Sequence, residues 1–108
     1  MEASLLPHFD STIRKDQLRA SSWKRECEKF FARAAQCAEG MERSLKANAL
    51  GNWLARVHEL RMAASSLGAR KLSGFCNEAE QFRSLRGDDA KALLYHIDKE
   101  IAFLKSTL

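Results

Sequence analysis

Three histidines and three cysteines are the side chains of this 108-residue chain best suited to covalent or metal chemistry. The thiols, Cys27, Cys37 and Cys76, form no C-x-x-C pair and have no histidine at ligand spacing. That pattern argues against a disulfide framework or a zinc site and for reduced, packed thiols. His8 follows Pro7 near the start and reads as an exposed residue. His96 lies beside an apolar stripe and reads as structural. His58 differs. At about 100° per residue it falls one step around a helix from Val57, the middle of an apolar stripe, and so sits at the edge of the core or outside it.

On a helix, the neighbours of His58 are Gly51, Leu54, Ala55, Arg61, Met62 and Ser65. Gly51, Ala55 and Ser65 are small and leave room for a partner surface. Arg61 sets a fixed cation one turn along, where it could stabilise phosphoryl oxygens near the ring. The same pattern also describes an ordinary solvated helix face. Other chemistries lack their motifs. There is no Gly-rich phosphate loop, no H-E-x-x-H and no G-x-S-x-G. Glu78 and Glu80 stand two apart and point to different helix faces. A hydrolase is not supported.

The elements that must carry His58 are helical. Six β-branched residues stand against 16 Ala and 14 Leu, and the one proline is Pro7. Strands favour the first group and helices the second. An all-α protein follows. The first long helix starts near Asp16 or Ser22, with Trp23, Cys27, Phe30, Ala34, Cys37, Met41 and Leu45 on one face. Gly40 lies inside it as a point of bending, and Lys46 to Ala49 lead into a turn. The second runs from about Leu50 to Ser66, with Leu50, Trp53, Leu54, Val57, Leu60, Ala64 and Leu67 inward and Gly68 as its stop. The third spans about Ala69 to Leu85, with Leu72, Phe75, Cys76, Ala79 and Phe82 inward. Gly87 and Asp88 form a stop and a new cap, and a last helix covers about Asp89 to Leu104. Short turns imply antiparallel neighbours, hence an up-down-up-down four-helix bundle over residues 16–108. Residues 1–15 read as a short N-terminal helix or strap leading into this single domain.

Charge and hydropathy narrow the setting. Cutting after Leu54 leaves nine bases and seven acids on each side, so no basic arm favours nucleic acid. No apolar run approaches the roughly 18 residues of a membrane span. The apolar stretch between Met1 and Phe9 is short for a secretory signal. A soluble, cytoplasmic monomer is expected.

The run from His58 to Ala69, His-Glu-Leu-Arg-Met-Ala-Ala-Ser-Ser-Leu-Gly-Ala, resembles the motif of histidine phosphotransfer (HPt) domains of multistep two-component phosphorelays. That motif resembles H-x-L-K-G-S followed by a G-A pair ten and eleven places after the histidine. His58, Leu60, a base at Arg61, small residues and the turn pair Gly68 and Ala69 match in register. Leu72, Cys76 and Glu80 continue the likeness, which spans about Leu50 to Glu80 by motif.

The resemblance implies a four-helix bundle in which His58 accepts a phosphoryl group from one receiver-domain aspartate and passes it to another. Arg61 would lend electrostatic support. Gly51, Leu54, Ala55, Met62 and Ser65 would form the docking face. Partners would be response-regulator receivers and a hybrid sensor kinase. No cofactor would be held, with magnesium confined to the receiver. Such a domain is a carrier rather than an enzyme in its own right. Met62 departs from the family, which usually has glycine four places after the histidine. That change leaves open narrowed partner choice, slow transfer, or a module that docks to a receiver or kinase without accepting phosphate.

Overall fold

The computed structural model describes residues 21–108. The expected strap over residues 1–15, with His8, lies outside them, as does the alternative start at Asp16. Four helices follow in order: α1 (Ser21–Ala47), α2 (Leu50–Leu67), α3 (Arg70–Ala79) and α4 (Asp89–Thr107). α1 packs on α2, α2 on α3, α3 on α4 and α4 on α1, while the backbones of the diagonal pairs stay apart. This is the four-cornered bundle that the stripes imply. Its centre is filled by Cys37, Met41, Trp53, Val57, Leu60, Leu72, Cys76, Ile97 and Leu104, all fully buried. Burying such side chains stabilises a fold by about 1.5–3 kcal/mol each for the larger aliphatic ones.

Two turns set the register around α2. Asn48, at φ 51°, reverses the chain between α1 and α2. Gly68, at φ 81°, closes α2 in the left-handed conformation. Its N–H donates to the Ser65 carbonyl at 3.1 Å, and the Ala69 N–H donates to the Ala64 carbonyl at 2.8 Å. Both residues of the Gly-Ala pair are buried, so the turn is tight against the core.

Three expectations need correction. α3 stops at Ala79, not near Leu85. The Trp53 indole N–H donates to the Ala79 carbonyl at 3.0 Å, engaging the oxygen that a longer helix would use for itself. Phe82 and Leu85 still turn inward, but from an irregular segment. The Phe82 ring meets Trp53 edge-on with centroids 6.1 Å apart, and Leu85 is buried. Gly40 does not interrupt α1. Its hydrogen makes a notch for Arg56: a Cβ there would lie 2.7 Å from the Arg56 Cδ. Asp88 holds the N-cap position of α4 but its side chain makes no capping bond.

Two substitutions test this account. Gly68→Ala should destabilise the bundle by about 1–2 kcal/mol, because alanine pays a steric penalty in the left-handed region. Trp53→Phe should cost at least about 1 kcal/mol through the orphaned Ala79 carbonyl. Urea titrations followed by circular dichroism measure both.

Candidate functional site

His58 lies in the middle of α2 with its side chain 57% exposed. Its neighbours in the chain, Val57 and Leu60, are fully buried, so the helix backbone beneath the ring is fixed by the core. The ring is held from one side. Nδ1 is 3.2 Å from Glu80 Oε2 and 3.2 Å from an Arg61 guanidinium nitrogen. Arg61 Nε forms an ion pair with the other Glu80 oxygen, by proximity rather than through an aligned hydrogen bond. Glu80 is the first residue past α3, and the Trp53–Ala79 bond fastens that point to α2.

Two contacts compete for Nδ1. With Glu80 ionised, a proton on Nδ1 makes a charge-assisted bond to Oε2 while Arg61 serves Oε1. A bare Nδ1 would instead aim its lone pair at a carboxylate. The Glu80 contact favours the Nδ1–H tautomer, which leaves the lone pair on Nε2, whereas the Arg61 guanidinium, which can only donate, favours the reverse. Nε2 is the ring nitrogen away from Nδ1, in a side chain that is exposed and lines the groove between α1 and α2. An imidazole nitrogen at an open surface has the chemistry of a nucleophile.

The other expected site residues are placed unevenly. Met62 is 52% exposed, and with Ala55 and His58 it lines a cavity of about 850 Å³ between α1 and α2. Gly51 is exposed, and a Cβ there would meet nothing within 4 Å. Leu54 is half-buried against the core. Ser65 is exposed but shares a 3.1 Å hydrogen bond with Ser73 of α3. Arg61 is only 27% exposed and lies on the Nδ1 side, turned toward Glu80. His96, the second described histidine, is exposed and stacks on Phe75 at 6.0 Å.

Two carboxylates escaped sequence reasoning. Glu80 carried a signal only as part of the family-like pattern, and no helical spacing links it to His58. Glu59 is the one acid between Arg56 and Lys71 in the sequence. It bridges Arg56 at 2.9 Å and Arg33 of α1 at 3.4 Å, tying two helices together beside the ring. No group of three or more His, Cys, Asp or Glu side chains among the described residues could hold a metal ion. No described helix is long and apolar enough to cross a membrane.

The cysteines are free and buried. Burial, reinforced by Glu59, pushes the Cys37 thiol up to about 11. Burial, reinforced by Glu80, pushes Cys76 up to about 12. Both are neutral packing groups at ordinary pH.

A four-helix bundle with an exposed imidazole at the middle of α2 is an arrangement suited to a helical histidine carrier. The model of the Hpt domain family matches residues 27–107, and the chain belongs to that family. Its members are phosphocarriers of histidine phosphotransfer in phosphorelay signalling, with response-regulator receivers as general partners. No curated protein and no solved structure matches the chain.

Two measurements follow from the geometry. Nitrogen-15 NMR of the histidines should show His58 in the Nδ1–H form near neutral pH, and Glu80→Ala should shift it toward Nε2–H. The thiols fix a sign at alkaline pH. Their folded values lie above the ordinary 9.0, so their contribution to stability is whole below pH 9 and is lost as pH rises toward 11–12. Denaturant midpoints should therefore fall above pH 9, and by less in Cys37→Ala or Cys76→Ala.

Proposed function

We propose that His58 is the phosphoryl-accepting residue of a carrier that moves the group between receiver-domain aspartates. The observation that carries this reading is the exposed ring whose Nδ1 is tethered from behind by Glu80, with Nε2 on the other side of the ring. Transfer is a direct displacement. The Nε2 lone pair forms a bond to phosphorus, and the acyl phosphate P–O bond breaks. The aspartate carboxylate leaves with the electron pair. The ring becomes a phosphoimidazolium whose positive charge is centred near Nδ1–H, against Glu80. Fixing the ring pre-aligns the in-line approach. Glu80 acts as a positioning residue, and Arg61 orients Glu80.

The carrier works in the cytoplasm as a monomer, with receivers and a hybrid sensor kinase as partners. It holds no cofactor of its own, and the receiver supplies magnesium. Around the site, Ala55 and Gly51 give clearance, while Met62 and the accessible part of Leu54 supply apolar contact. Bases at Arg56, Arg61, Arg70 and Lys71 against one acid, Glu59, favour encounter with an acidic receiver face.

A second reading has its own observation. Met62 projects on the same helix face as His58, one turn away and half exposed. A thioether there could block the approach of a receiver while still binding it, which would make the domain a docking module that accepts no phosphate.

A receiver charged with acetyl phosphate should label the wild type and not His58→Gln. Label persisting on that variant, at His96 or His8, would reject the assignment. Met62→Gly discriminates between the readings. A wild type that binds a receiver without transfer, converted to transfer by Met62→Gly, would establish the docking module instead.

A further inference from the structure

The side of His58 away from Glu80 is not empty of charge. His58, Glu59, Met62, Arg33, Gln36 and Lys29 line one cavity between α1 and α2. Glu80 and Arg61 occupy the Nδ1 side of the ring, which leaves Nε2 on the other side of an imidazole that lines this cavity. A phosphoryl group on Nε2 thus arrives on the α1 side. Arg61 is poorly placed to meet it, since its Nε is buried and its guanidinium is turned to Glu80. Arg33 is better placed. Its side chain is 57% exposed, and its one tie here is a loose 3.4 Å ion pair with Glu59, the residue next to His58. Such exposed pairs are weak. A dianionic phosphoryl group is a stronger and more forked partner for a guanidinium than one shared carboxylate oxygen.

We infer that Arg33 of α1, rather than Arg61, is the cation that binds the phosphoryl group on His58 Nε2, exchanging Glu59 for phosphate oxygens as transfer proceeds. The assignment rests on the carrier reading and adds a residue from a different helix to it. Glu59 then has a definite part: it parks the guanidinium beside the ring before phosphate comes and competes with phosphate afterwards. The two cations divide the labour. Arg61 holds the carboxylate that aligns the ring, and Arg33 meets the incoming charge.

The test uses phosphoramidate, a small donor that needs no docking surface, alongside a charged receiver. With phosphoramidate the Nε2–P bond forms, the N–P bond of the donor breaks, and ammonia leaves. Arg33→Gln should slow labelling on the order of tenfold with both donors, a smaller loss than at an enclosed oxyanion donor. Arg33→Lys should recover part of the rate, and Lys29→Gln should stay within about twofold of wild type, since it removes a similar charge without that position. Glu59→Gln should accelerate labelling in the wild-type background and leave the Arg33→Gln background unchanged, because it acts by releasing Arg33. Equal acceleration in both backgrounds, or equal losses in Arg33→Gln and Lys29→Gln, would reduce the effect to general electrostatics and overturn the assignment. A loss confined to the receiver donor would make Arg33 a docking residue and overturn it too. Unimpaired labelling of Arg33→Gln overturns it while the carrier reading stands. No label on the wild type from either donor removes both. Matching thermal melts for the variants exclude a folding defect.

Discussion

The junction between α2 and α3 governs the site. The Trp53 indole bond to the Ala79 carbonyl ends one helix against the flank of another and so delivers Glu80 to His58. At the far end of the same pair, the Gly68 turn sets the distance between the helices. A slip of one residue along α3 would rotate the carboxylate about 100° off the ring. The contacts that hold the ring descend from this register. Fully buried Trp53, Leu60, Leu72 and Cys76 keep it from drifting.

Electrostatics around the ring is arranged in two opposed clusters. Glu80 with Arg61 lies behind, and Glu59 with Arg33 and Arg56 lies toward α1. Each acid partly neutralises its cations. Three guanidinium groups against two carboxylates leave the resting surface near His58 mildly positive. Charge becomes available only where an incoming anion can displace a carboxylate. That suits a protein that must let its cargo go as readily as it takes it.

Much of the fold could be read from the chain because the α1, α2 and α4 stripes keep a helical period and end at turn residues. Asn48 and Gly68 take left-handed conformations where the pattern breaks. The end of α3 could not be read the same way. Phe82 and Leu85 continue an apolar spacing although the backbone has left the helix, since both reach the core from a loop. Periodicity registers where side chains are buried, not which backbone carries them. His58 stood out because it is local to its motif. Glu80, Glu59 and Arg33 take their meaning from contacts across helices, which no spacing along one helix displays. Arg61 was visible as a cation near the ring, but which face it serves is decided by tertiary packing.

Glu80 is the C-cap of α3: its N–H still donates to the Cys76 carbonyl at 2.9 Å, and beyond it an irregular stretch runs to Asp88. The carboxylate beside the imidazole thus sits where regular helix gives way to backbone held by side-chain packing. Phe82 against Trp53 and buried Leu85 pin that stretch to the core, so whatever steadies the core steadies the carboxylate. Exposed Arg83 and Arg86 are positions in this stretch where a substitution reaches the surroundings of Glu80 without removing a core contact.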